Sequence, residues 1–146
     1  MYADGNNHDR ITLGNGAGDS VDADTSTFGL VSSYDTITLG TGVGDAVDAN
    51  GSNHDKIILG NGERDTVYAD GSNHDRITLG NGAGDTVSAV NSSYDTITLG
   101  NGAGDVVSAN YSSYDTIRLG NGINDFVSAA QSTFDTITLG NGATIR

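Results

Sequence analysis

The stretch that decides the fold is residues 85–104, which read Asp85-Thr-Val-Ser-Ala-Val-Asn-Ser-Ser-Tyr94 and then Asp95-Thr-Ile-Thr-Leu-Gly-Asn-Gly-Ala-Gly104. Apolar and polar side chains alternate directly after each aspartate, as they do along a β-strand that is buried on one side. Ile97 and Leu99 therefore point one way and the threonines beside them point the other way. Each ten-residue half is thus predicted to be a short strand followed by a five-residue turn.

Both halves recur along the chain with a period of 20 residues. The half that begins at Asp95 has copies that open with the A aspartates, Asp9, Asp35, Asp55, Asp75, Asp95, Asp115 and Asp135. The half that begins at Asp85 has copies that open with the B aspartates, Asp19, Asp45, Asp65, Asp85, Asp105 and Asp125. The interval from Asp19 to Asp35 is six residues too long, so we expect an irregular insertion within residues 25–34. A fixed period of this size is typical of a solenoid.

The repeat predicts an all-β fold, a parallel β-solenoid with two sheets (a β-roll) and about 20 residues per coil. Roughly seven coils would stack as a single domain over residues 1–146, and the usual handedness of parallel crossovers makes the coil right-handed. Ile and Leu of one sheet would face Val and Ala of the other across a narrow core. The five-residue turns differ: the A turn after Leu99 is glycine-rich, whereas the B turn after Ala89 is polar.

Composition excludes several classes of function. The chain has 146 residues, a net charge of −13 and no cysteine. A surface this acidic argues against binding nucleic acid or an anionic membrane. The absence of cysteine excludes disulfides and thiolate metal sites. No apolar run approaches the roughly 18 residues of a membrane span, so membrane insertion is not expected.

The segment Gly80-Asn-Gly-Ala-Gly-Asp-Thr-Val-Ser-Ala89 resembles the repeats-in-toxin (RTX) β-roll, whose repeat is G-G-x-G-x-D-x-U-x. The resemblance implies a bacterial module that is extracellular or lies at the cell surface, as part of a larger exported protein. It also implies calcium as the one cofactor, bound by the turns between successive coils. The residues to which this role would pass are the B aspartates that follow a glycine-bearing turn, Asp45, Asp65, Asp85, Asp105 and Asp125.

Two interpretations of these aspartates remain open. Calcium takes six to eight oxygen ligands, and stacked carboxylates would repel one another without a cation. Alternatively, each aspartate accepts a backbone N–H bond and caps its own turn. The equal regularity of the A aspartates, which follow turns without the glycine pattern, favours capping.

Two further columns are predicted to be structural. The asparagines of the A turns, Asn15, Asn61, Asn81, Asn101, Asn121 and Asn141, can form an amide ladder. Aromatic or histidine residues precede most A aspartates, and a ring stack at the end of the core explains His and Tyr at the same position. These residues are His8, His54, His74, Tyr94, Tyr114 and Phe134.

Threonines line the outer face of the first sheet. The complete Thr-x-Thr pairs are Thr36 with Thr38, Thr96 with Thr98 and Thr136 with Thr138. Such rows resemble the ice-binding faces of some antifreeze solenoids, although Arg10, Lys56, Ile58, Arg76 and Arg118 interrupt them. Threonine is also simply a good residue for an exposed strand.

No nucleophile and base recur together, so we do not expect an enzyme. The sequence favours a non-enzymatic structural module that serves as a spacer, a scaffold or an adhesive surface. Calcium-dependent folding and ice binding are the alternatives. The open strand edges of a solenoid also predict head-to-tail self-association.

Overall fold

The computed structural model describes residues 1, 7–24 and 33–146, and within them the ordered elements are short strands with no helix. The strands of the first sheet are β1 (Arg10–Thr12), β3 (Thr36–Thr38), β5 (Lys56–Ile58), β7 (Arg76–Thr78), β9 (Thr96–Thr98), β11 (Thr116–Arg118) and β13 (Thr136–Thr138). Those of the second are β2 (Ser20–Asp22), β4 (Ala46–Asp48), β6 (Thr66–Tyr68), β8 (Thr86–Ser88), β10 (Val106–Ser108), β12 (Phe126–Ser128) and β14 (Thr144–Ile145).

Consecutive strands lie in opposite sheets, and strands one repeat apart pair side by side. The first sheet has the order β1-β3-β5-β7-β9-β11-β13, and the second has the order β14-β12-β10-β8-β6-β4-β2. All pairs are parallel and in register, so that Ile97 lies opposite Ile77 and Ile117. The chain therefore forms a two-sheet parallel β-solenoid of about six turns, which confirms the predicted architecture and the 20-residue coil.

The alternation seen in the sequence decides which side chains enter the core. In the coil that contains β9, Asp95, Ile97 and Leu99 are buried, whereas Thr96 and Thr98 are only half-buried. Ile and Leu of the first sheet meet Val and Ala of the second in one continuous hydrophobic cluster. Burial of each of these side chains contributes about 1–3 kcal/mol, and the aspartate that precedes each strand occupies the margin of the same core.

Outside the strands, one residue of each B turn adds a third row of parallel bridges between coils. The bridged residues are Asn7, Ser33, Asn53, Asn73, Ser93, Ser113 and Thr133. Ser33 joins Asn7 to Asn53, so the regular coil has resumed by that residue. Most of the predicted insertion, residues 25–32, lies outside the described residues. No helix in the described part of the chain is long and apolar enough to cross a membrane.

Candidate functional site

Two ladders of buried aspartates run along the solenoid, one formed by the A aspartates and one by the B aspartates. In the A ladder the backbone N–H of Asp75 donates to Oδ1 of Asp95 at 2.9 Å. In the B ladder the N–H of Asp85 donates to Oδ1 of Asp105 at 3.0 Å. Ten of the ladder aspartates are at most 1% exposed, namely Asp35, Asp45, Asp55, Asp65, Asp75, Asp85, Asp95, Asp105, Asp115 and Asp125.

The hydrogen bond of each carboxylate crosses to the neighbouring coil, where the sequence predicted a cap on the residue's own turn. The donor is the backbone N–H of the aspartate 20 residues earlier, as in Asp45 to Asp65 at 3.0 Å. The geometry follows from the stacking, because the inward-pointing carboxylate lies directly beside the amide of the equivalent residue one coil away. The aspartates therefore hold neighbouring coils together.

The second carboxylate oxygen of these residues has no partner. Oδ2 is buried and makes no hydrogen bond in Asp45, Asp55, Asp65, Asp75, Asp85, Asp95, Asp105, Asp115, Asp125 and Asp135. A buried, charged oxygen without a partner is costly, so the group must take up a proton, a cation or water. Both ladders share this property, although the sequence assigned a cation only to the B aspartates. The A aspartates occupy the same inward-facing position before a strand as the B aspartates, and this register is the sequence signal for the shared property.

Burial changes the acidity of the ladder. It raises the pKa of Asp75 to about 9, and the carboxylates of Asp95 and Asp55 add to the shift while the amide of Asp55 opposes it. Burial likewise raises the pKa of Asp95 to about 7 and that of Asp85 to about 6, again against the opposing hydrogen bond from a backbone amide. Near neutral pH Asp75 therefore holds a proton that an ordinary aspartate, with a pKa of 3.8, has lost.

The carboxylate oxygens of the ladder are the type of ligand that calcium prefers, but they are fewer than the six to eight oxygen ligands that calcium takes. Each pair of B aspartates offers partnerless carboxylate oxygens, and calcium prefers oxygen. However, Oδ1 already accepts an amide hydrogen bond, and no group of three or more His, Cys, Asp or Glu side chains in the described ranges could hold a metal ion. Backbone carbonyls or water would have to supply the remaining ligands.

Two other polar columns also join the coils. The backbone N–H of Asn101 donates to Oδ1 of Asn81 at 2.9 Å, and the side-chain Nδ2 of Asn101 donates to the same oxygen at 3.2 Å. These bonds confirm the predicted asparagine ladder. The buried hydroxyl of Ser92 donates to the Ala69 carbonyl at 2.8 Å, and that of Ser112 donates to the Ala89 carbonyl at the same distance. The sequence offers one signal for these serines, which recur three residues before the A aspartates.

The aromatic column is a continuous stack. Neighbouring rings from His8 to Phe134 lie 4.5–5.2 Å apart with interplanar angles of 2–20°. Every member has a positive φ of 63–67°. The rings stand at the surface, with Tyr94 51% exposed, so the stack lines an outer edge of the solenoid. Because its ring faces contact one another, the stack presents ring edges to solvent.

The outer face of the first sheet carries two rows, each with one residue from every strand. The row that starts at Arg10 continues through Thr36, Lys56, Arg76, Thr96, Thr116 and Thr136. The row that starts at Thr12 continues through Thr38, Ile58, Thr78, Thr98, Arg118 and Thr138. The three complete Thr-x-Thr pairs are thus separated by strands that carry a basic side chain, and no two such pairs are adjacent.

Comparison with protein-family models and with curated proteins finds no match for this chain.

Proposed function

We propose that this chain is a non-enzymatic structural module of an extracellular or surface-exposed protein, which acts as a rigid scaffold that presents flat faces. One observation carries the proposal: every coil is bonded to the next in both sheets, in the bridge row and in the aspartate ladders. Such stacking resists bending, because any displacement of one coil breaks several hydrogen bonds together.

The dimensions favour a scaffold or an adhesive surface over a spacer. Strands in a sheet lie about 4.8 Å apart, so six coil steps extend the molecule by only about 29 Å. A helix of 20 residues already spans about 30 Å. A chain that uses 20 residues for each 4.8 Å step gains little length. Each step mainly adds area to the two outer faces.

Pulsed electron resonance between spin labels tests the rigidity. Labels at Thr38→Cys and Thr138→Cys lie in the same outer row, five coil steps apart, so their backbones should be about 24 Å apart. A rigid scaffold gives one narrow distance distribution. A broad or multiple distribution would contradict the proposal. The continuous-wave spectra of the singly labelled Thr38→Cys and Thr138→Cys chains control for the motion of the labels themselves.

A second candidate is calcium-dependent folding, as the resemblance to the RTX β-roll implies. The observation that favours it is the row of buried, partnerless Oδ2 atoms in the B ladder. A cation that binds only the folded chain raises the melting temperature as its concentration rises. The role of the turns would then be to couple folding to export into a calcium-rich medium.

Thermal unfolding followed by circular dichroism, with calcium and then with a chelator, distinguishes the two candidates. Magnesium at equal concentration controls for general screening of the negative charge. Coincident curves would reject calcium dependence and leave the scaffold proposal intact. If calcium does raise the melting temperature, Asp85→Asn with Asp105→Asn should reduce the rise, whereas Asp75→Asn with Asp95→Asn should keep it.

A further inference from the structure

A basic stripe lies on the outer face of the first sheet. Lys56 of β5 and Arg76 of β7 are direct cross-strand neighbours, and Arg10 occupies the same row two strands away. All three side chains are exposed, and none has an ion pair or a side-chain hydrogen bond among the described residues. Like charges placed directly opposite destabilise a sheet. The stripe therefore lowers the stability of this part of the sheet, in a chain that has only six basic residues.

An acidic patch lies on the outer face of the second sheet. Asp22 of β2 and Asp48 of β4 are direct cross-strand neighbours. Asp24 and Asp70 follow the ends of β2 and β6. Burial raises the pKa of Asp48, and the charges of Asp24, Asp22 and Asp70 raise it further. The four carboxylates thus repel one another, and a cationic partner would relieve that repulsion.

The stripe and the patch lie back to back and overlap along the solenoid, although Arg76 lies one coil beyond the patch and Asp48 lies behind Thr36. Arg10 and Asp22 belong to the first coil described, and Lys56 lies on the strand that precedes β6 and Asp70. The two sheets are about 10 Å apart and face outward in opposite directions. A translation perpendicular to the sheets, without rotation, would therefore set the stripe of one copy against the patch of another.

We propose that copies of this chain associate side by side, with the basic stripe on the first sheet of one copy against the acidic patch on the second sheet of its neighbour. The contact is heterologous, because the two copies use different surfaces. The copy at each end of a row still exposes one unpaired face, so the contact repeats and builds an open array instead of a closed dimer. A module that presents flat faces would in this way form a row of stacked copies.

The association is weak for two reasons. Seven strands at 4.8 Å, each about 17 Å wide over five residues, make a face of roughly 570 Å², and two such faces bury about 1,100 Å². This total lies at the low end for specific interfaces. The net charge of −13 also repels approaching copies, so assembly requires a high local concentration of the chain.

Sedimentation velocity over a concentration series tests the contact with charge-reversed variants. Arg10→Glu with Lys56→Glu reverses the stripe, and Asp22→Lys with Asp70→Lys reverses the patch, at the two coil levels that face each other in the contact. Each variant alone should raise the dissociation constant at least about tenfold, because like charges then meet across the contact. Arg64→Glu with Arg146→Glu changes the net charge as much as the first variant does but lies off this face, and it should leave the dissociation constant within about threefold of wild type.

Mixing the two reversed variants is the decisive arm. The acidic first sheet of one variant then meets the basic second sheet of the other, so an equimolar mixture should regain association. Circular dichroism establishes that each variant is folded before it is used. A wild-type chain that stays monomeric at millimolar concentration would overturn the proposal. So would reversed variants that assemble as wild type does, which would point to pairing through strand edges, or a mixture that remains monomeric.

Discussion

The backbone N–H of Asp75 donates to Oδ1 of Asp95 on the next coil, 2.9 Å away, while Oδ2 of Asp95 is buried without a partner. The Asp95 side chain thus makes one favourable hydrogen bond and buries one oxygen that has no partner. The hydrogen bond joins two coils at the margin of the core. The second oxygen makes the carboxylate a poor place for a negative charge, and this conflict has measurable consequences.

Substitution at Asp95 separates the hydrogen bond from the charge. Asp95→Ala removes the acceptor and leaves the N–H of Asp75 unpaired in the core, which should cost about 1–3 kcal/mol of unfolding free energy. Asp95→Asn keeps an acceptor oxygen and cannot ionise, so at pH 8 its unfolding free energy should equal or exceed that of the wild type. Chemical denaturation of the two variants provides the comparison. Equal stability of the Ala and Asn variants would show that the ladder bond contributes nothing.

Stability should fall as the pH rises from about 4 to about 9. The folded pKa values of Asp115, Asp95 and Asp75 are raised to about 6, 7 and 9, whereas the unfolded chain titrates near 3.8. Over this window the folded state binds more protons than the unfolded state, so ionisation favours unfolding. Melting temperatures measured at low calcium from pH 4 to pH 9 check the slope. A melting temperature that rises across this range would refute the buried, uncompensated ladder.

The glycines of the A turns differ in what they tolerate. A Cβ on Gly82 would overlap the carbonyl oxygen of Gly62 on the previous coil, which cannot move without opening the stack. Gly82→Ala should therefore destabilise by more than about 4 kcal/mol or prevent folding. Gly104 has open space around it but a φ of +78°, so Gly104→Ala should cost only about 1–2 kcal/mol.

Gly104→Asn is the matched control for backbone strain in that turn. Asn124 and Arg64 already occupy the equivalent position in other coils with φ of 64° and 60°. Asparagine adopts this conformation more readily than alanine does, so the Asn variant should be the more stable of the two. Thermal melts of Gly82→Ala, Gly104→Ala and Gly104→Asn compare the cost of steric overlap with the cost of backbone strain. A Gly82→Ala chain as stable as Gly104→Ala would contradict the close stacking.

The aromatic stack should compensate for an unfavourable backbone. Tyr94 has a φ of 65° and stacks on Tyr114 with a centroid separation of 5.0 Å. Tyr94→Ala loses the stacking and keeps the strained backbone, whereas Tyr94→Gly loses the stacking and relieves the strain. The glycine variant should therefore be about 1 kcal/mol more stable than the alanine variant. The difference in unfolding free energy measures the strain, and a more stable alanine variant would contradict it.

The strands could be predicted from the sequence because their pattern is local. Alternation around Ile97 determines which side chains face inward, and repetition every 20 residues determines which strands pair. The asparagine ladder followed from the same logic, since equal residues at equal positions must stack. The aspartate bonds were harder to predict, because a carboxylate can reach its own turn or the next coil, and only the distance between coils distinguishes the two.

The amino-acid sequence by itself determined the period, the two-sheet solenoid and the composition of each face, since these depend on side-chain order alone. Tertiary structure decided that the aspartates bond between coils and that their second oxygens are left without partners. The physical reason is that a ladder or a patch consists of residues 20 or more positions apart. Their chemistry therefore depends on the separation that stacking imposes, and a linear pattern does not contain that separation.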